Sequence, residues 1–168
     1  MAKEFHPLGA RIATGETRNG VSVGVWASTY PDGSKASEIT YDDEGNGIGV
    51  ARQWFQDGTL QLELEFSNDG EDIVQRTYFA GGQKAMVTTM VQGIPHGPVK
   101  RWYPSGALQS EGHFHLGRAH GEVRDFGPSG QEFTDVFRYG ISRDKGFSLL
   151  SVLQGGLLTL IMLIVVAV

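Results

Sequence analysis

"HGPVKRWYPSGALQSEGHFHLGRAHG", residues 96–121, is the stretch whose reading decides the fold. It sets Tyr103-Pro104-Ser105-Gly106 between two strand-like segments, begins and ends in His-Gly, and holds four of the chain's five histidines. Either the histidines gather at a metal or catalytic centre, or the stretch is one period of a repeat. The rest of the chain favours the repeat. "YPDG" ends at Gly33, "FQDG" at Gly58, "FAGG" at Gly82, "YPSG" at Gly106 and "GPSG" at Gly130, giving spacings of 25, 24, 24 and 24. Tyr30, Phe55, Phe79 and Tyr103 stand three residues before their turn glycines, and Tyr41, Phe66, Met90 and Phe114 stand eight after. Gly24, Gly49, Gly97 and Gly121 stand nine before, and only Ile73 interrupts that column.

Each unit reads as a β-hairpin. A corner residue such as Pro, then Asp or Ser, then Gly where φ must be positive, matches a type I turn closed by a left-handed residue and a bulge. The flanks alternate as strands do: in "TLQLELEF" Leu60, Leu62, Leu64 and Phe66 share one face, and Gln61, Glu63 and Glu65 the other. One such hairpin cannot bury its apolar face, but five in series can pair as a meander. The fold expected is all-β: an elongated, single-layer antiparallel meander of about five hairpin repeats, roughly ten strands, followed by one transmembrane α-helix.

The pattern resembles the MORN-type repeat, in the bacterial variant where His-Gly or a similar pair opens the unit and an aromatic pair precedes Pro-x-Gly. It is carried best by "HGPVKRWYPSGALQSEGHF" and next by "GNGIGVARQWFQDGTLQLELEF", within a span of roughly Gly20 to Tyr139. "GEDIVQRTYFAGGQKAMVTTM" lacks the opening glycine, and the fifth unit has Phe126-Gly127 in place of its tyrosine, so that the last unit reads as a degenerate cap. The resemblance implies an extended sheet that holds protein partners or membranes, often antitoxin-like, with no catalytic residues.

Glycine usage agrees: 24 of 168 residues is about twice the average and belongs to a chain with many tight turns. Without cysteine there are no disulfides, thiolate metal sites or Cys nucleophiles. Residues 1–18 read as an N-terminal extension without a signal-peptide stretch, 19–140 as the repeat domain, and 141–146 as a juxtamembrane linker. Residues 147–168, "FSLLSVLQGGLLTLIMLIVVAV", hold no charge, and at about 1.5 Å per residue such a helix spans a bilayer core of roughly 30 Å. Arg138, Arg143 and Lys145 precede that segment, so the positive-inside rule expects a cytoplasmic repeat domain and an outward, periplasmic C-terminus. Ser151, Gly155 and Thr159 recur every four residues and make a small-residue stripe for packing on another helix.

Candidate sites are few. His96 and His120 recur at one repeat position, while His113 and His115 share a strand face and could chelate, but no third ligand is evident, so no metal is expected. Asp42 to Gly47, "DDEGNG", imitates half a calcium loop, yet its twelfth position is Gln53 where a bidentate Glu is needed; an inter-hairpin turn is the simpler reading. No cofactor motif and no hydrolase elbow, zincin or Ser-x-x-Lys signature is present, so no enzyme is expected. A net charge of −5 without a basic stripe disfavours nucleic acid. Trp26, Trp54 and Trp102 remain as a ladder, part of which could dock a protein. The expected function is a non-catalytic membrane-anchored accessory or scaffold subunit, docked through sheet and helix on integral membrane subunits of a respiratory, photosynthetic or transport complex. The alternatives are a tethered antitoxin-like regulator that grips a soluble protein, or a tether that contacts the lipid bilayer.

Overall fold

A computed structural model describes residues 2–6, 11–67 and 72–142, with side chains from residue 13 onward. The segment 147–168, with Ser151, Gly155 and Thr159, lies outside the described residues. Among those described there is no helix, and hence none long and apolar enough to cross a membrane. The strands are β1 (Ala2–His6), β2 (Arg11–Arg18), β3 (Val21–Thr29), β4 (Lys35–Tyr41), β5 (Gly47–Trp54), β6 (Leu60–Phe66) and β7 (Asp72–Tyr78). They continue as β8 (Lys84–Val91), β9 (Ile94–Trp102), β10 (Leu108–His115), β11 (Arg118–Ala119), β12 (Gly121–Phe126), β13 (Glu132–Arg138) and β14 (Ile141–Ser142). All belong to one antiparallel sheet in which each strand pairs with its neighbour in sequence, except that β12 pairs β10 and the short β11 hangs on β10 beside it. At about 4.8 Å per strand the sheet extends roughly 60 Å across its strands, twice the length of any one of them.

The meander is therefore longer than the ten strands expected. The segment 1–18, expected as an extension, supplies β1 and β2, and β2 pairs with β3 from Ile12↔Thr29 to Arg18↔Val21. Ile141 and Ser142, expected in a linker, pair with Arg138 and Phe137. The cause is the same at both ends: an edge strand with unpaired backbone groups is completed by any adjoining chain that can run antiparallel to it.

The hairpin tips have one geometry. At Gly106 the N–H donates to Tyr103 O at 2.8 Å, and Tyr103 N–H donates to Ala107 O at 2.8 Å, closing a type I turn with a bulge. The same pair of bonds recurs at Gly33, Gly58, Gly82 and Gly130, and all five glycines have φ between 81° and 87°. Tip side chains also tie one unit to the next: Tyr30 Oη–H donates to Trp54 O (2.7 Å) and Tyr103 Oη–H to Phe126 O (2.8 Å). At the Gly33 tip, hydrogen bonds from the Ser34 side chain, Gln56 and the Ser34 N–H hold the Asp32 carboxyl down at about 2.

The second glycine column has its own structural meaning. Thr88 pairs with Val99 but Met90 with Pro95, so Thr89 alone faces His96, Gly97 and Pro98, a bulge with Gly97 at φ 101°. Gly15 faces Gly24, Val25 and Trp26 in the same way, and Ile39 faces Gly49, Val50 and Ala51. Between β6 and β7, where Ile73 replaces the glycine, the register runs without a break. The bulge thus follows the glycine that permits it, and each one kinks and twists its strand.

The two faces differ in chemistry. On one, Glu38, Arg52, Glu63, Arg76, Val87, Lys100, Glu111 and Arg124 are successive cross-strand partners. Ion pairs run along this row: Arg52–Glu63 at 3.0 Å, Arg76–Glu63 at 3.4 Å, Lys100–Glu111 at 2.9 Å, and Arg124–Glu111. Lys100 first, then Arg124, holds Glu111 below the usual carboxylate range. The opposite face buries Leu62, Gln75, Met86, Thr88, Met90 and Val99 beneath their neighbours. Gly106→Val should destabilise the sheet by about 1 kcal/mol or more, because a β-branched residue is forced to positive φ. A urea unfolding curve measures this, and an unchanged midpoint contradicts the turn's role.

Candidate functional site

The three tryptophans do not form one ladder. They stand on β3, β5 and β9, and the last two are four strands, about 19 Å, apart. Trp26 is spent inside the chain: it is 8% exposed, its Nε1–H donates to Glu16 O at 3.1 Å, and its ring lies on Gly15, where a Cβ would sit 2.2 Å from it. Trp54 and Trp102 are half-buried, each beneath a lysine: Lys35 Nζ is 4.5 Å from one ring centre and Lys84 Nζ 5.5 Å from the other. The docking role expected of Trp26 has no exposed ring to serve it.

The histidines gather across strands instead. His96 packs on His115 with ring centres 4.9 Å apart, His115 on His120 at 5.9 Å, and Tyr139 closes the group at 4.7 Å from His120 and 5.8 Å from His115. His96 and His120 each precede a glycine of positive φ, and Nδ1 of each is buried without a hydrogen-bond partner. The third histidine that sequence reading lacked is His115's neighbour through space. The signal was present, since 96 to 120 and 115 to 139 are both steps of 24, which place these residues side by side in adjacent units. His113 stays out of the ring group, and its carbonyl accepts the His120 N–H at 2.9 Å. Among the described residues no three His, Cys, Asp or Glu side chains are placed to hold a metal ion. "DDEGNG" forms a turn: Asp42 N–H donates to Asn46 O and Gly45 N–H to Asp42 O, while the Asp42 carboxylate caps the Glu44 and Asn46 N–H groups.

The histidine group borders the sheet edge opposite the tips, where the return turns lie. Asn19-Gly20, Gln92-Gly93, Leu116-Gly117 and Tyr139-Gly140 are two-residue turns with both φ angles positive. Asn19 suits such a corner, whereas a leucine or tyrosine held in the left-handed region costs about 1 kcal/mol. Leu116 (φ 48°) and Tyr139 (φ 52°) are nevertheless placed there, 61% and 48% exposed. Ile94 (45%) and Ile141 (74%) follow the turn glycines and add to the same edge. The turns touch in series: Gly117 N–H donates to Pro95 O and Gly140 N–H to Ala119 O, both at 2.8 Å.

The hairpin at the centre of this group has a known counterpart. Residues 95–115 match the MORN repeat variant. That MORN-type repeat runs from Pro95 on β9 round the Gly106 tip to His115 on β10, and the flanking hairpins reproduce its tip. None of the curated proteins compared with the chain matches it.

A last polar group sits on the buried face near the sheet's end. Asp125 lies between Ser110 and Phe133 in register, and its Oδ1 is buried without a partner. Burial pushes its carboxyl up, Arg101 opposes that and Asp135 adds to it. A raised folded-state value means that ionisation disfavours the fold, so this cost is absent at low pH and present once pH exceeds the raised value. Asp125→Asn should accordingly raise stability at pH 7 and gain less at pH 3, as thermal melts at the two pH values will show. Leu116→Asn should stabilise the return turn by roughly 0.5–1 kcal/mol; a loss of stability in urea unfolding contradicts the strain assigned to that corner.

Proposed function

We propose that this chain is a non-catalytic, membrane-anchored accessory subunit, which uses its repeat sheet and an apolar helix to dock on and stabilise a larger membrane protein complex. The observation that carries the reading is the juxtaposition of the sheet's end, at Ser142, with the uncharged stretch 147–168. Four residues, 143–146, separate them, which puts Phe147 at most about 17 Å of chain from Ser142, so a membrane helix in 147–168 holds the sheet against its bilayer and whatever lies in it. The sheet supplies what a scaffold needs. Its charged face pairs acid with base across the strands, which leaves no single-sign field to draw nucleic acid, and its other face packs Leu62, Met86, Met90 and Val99 into a buried apolar layer. Ser151, Gly155 and Thr159 would let the helix approach another helix closely.

The orientation proposed is cytoplasmic for the sheet, from Arg138, Arg143 and Lys145. Isolation of the tagged chain in mild detergent, followed by mass spectrometry, should recover integral membrane subunits in stoichiometric amounts. Recovery of a soluble partner alone, or of none, overturns the reading. Protease outside intact spheroplasts should leave residues 1–146 uncut, and digestion from that side reverses the orientation.

A further inference from the structure

We infer that the return-turn edge of the sheet, at its β9–β14 end, is seated in the interfacial layer of the bilayer, with Ile94, Leu116, Tyr139 and Ile141 as the side chains that enter it. The inference rests on the anchoring of residues 147–168 proposed above and adds which edge meets lipid. Three observations carry it. First, four of the eight large apolar residues exposed among the described residues stand at three successive turns of this one edge, whereas only Phe133, three residues past Gly130, stands toward the opposite tips. The tips there present Pro31-Asp32, Gln56-Asp57 and Pro104-Ser105.

Second, Leu116 and Tyr139 occupy left-handed corners where Asn19 stands in the first return turn. Apolar side chains held in an unfavourable conformation and in water are doubly costly, and burial in an apolar medium removes one of the two costs. Third, the last described strand, β14, lies at this place. Ser142 is two residues beyond Gly140, and Phe147 opens the uncharged stretch five residues later. The opposite tips are about 26 Å away along β10. Arg118 and Arg138 are exposed beside the apolar turns, where phosphate headgroups would meet them, whereas the acidic turn of Asp42, Asp43 and Glu44 lies far along the same edge. The sheet then stands on one corner, with its N-terminal strands tilted away from an anionic surface.

The chain has no cysteine, so single ones can be introduced and labelled. Full-length Leu116→Cys, Ile141→Cys, Ser105→Cys and Leu158→Cys chains, each carrying a nitrobenzoxadiazole dye, are reconstituted into phosphatidylcholine–phosphatidylglycerol vesicles that contain a headgroup-proximal spin-labelled lipid. Dye at 158, in parallel vesicles whose spin label sits deep on the acyl chain, reports whether the anchor is in the bilayer, because residue 158 is about 16 Å of helix from Phe147 and out of reach of a headgroup label. With the anchor inserted, emission at 116 and 141 should be quenched severalfold more than at 105. In an Ile94→Cys chain, adding Leu116→Asn and Ile141→Asn should cut the quenching at least about threefold. Equal quenching at 105 and 116 means that the sheet lies flat. No quenching at 116 and 141 above that at 105 means that the turns face water or await a protein. Either result, with the dye at 158 in lipid, overturns the edge contact alone. Dye at 158 left unquenched by lipid overturns the membrane anchoring and this inference with it.

Discussion

The left-handed glycine at each hairpin tip is the constraint on which the rest of the sheet depends. With φ near 85° at Gly33, Gly58, Gly82, Gly106 and Gly130, the type I turn closes with two backbone hydrogen bonds, and the return strand is delivered antiparallel and in register. A tip moved by one residue would exchange the two faces of its hairpin. The row from Glu38 to Arg124 would then meet Leu62 and Met86, and both the ion pairs and the buried face would be lost. Repetition at 24 or 25 residues keeps every unit in phase, so that Tyr30 and Tyr103 reach the carbonyls of the following units.

The bulge glycines supply the other half of the geometry. Gly24, Gly49 and Gly97 each let three residues oppose one, and the interruption at Ile73 restores a straight ladder in the middle of the sheet. At the β9–β13 end His96 and His120, each before a glycine of positive φ, meet His115 and Tyr139. That end also carries the exposed apolar turns and the last described strand, β14.

A MORN-type repeat at 95–115 fits this picture of a period, though the units around it depart from it in informative ways. Where Phe55 and Phe79 replace tyrosine, the tip keeps its backbone bonds and lacks the hydroxyl tie to the next unit. Where the edge strands would end with unpaired backbone, β1, β2 and β14 extend the sheet beyond the recognisable units. Backbone pairing needs no particular side chains, which is why no pattern in residues 1–18 announced it.

The fold class, the antiparallel meander, the tips and their period were legible in the sequence, because positive φ selects glycine and a one-sided sheet selects alternation, and both constraints act within a few residues. The same locality made "DDEGNG" readable as a turn. The candidate site was only partly legible. Which histidines meet, that Trp26 is buried on Gly15 while Trp54 and Trp102 lie beneath lysines, and that Ile94, Leu116, Tyr139 and Ile141 share one edge are facts of strand register. Register brings together residues 24 apart through hydrogen bonds that the side chains do not encode one by one. Local conformation was therefore written in single residues, and the surface that they compose was decided by the sheet.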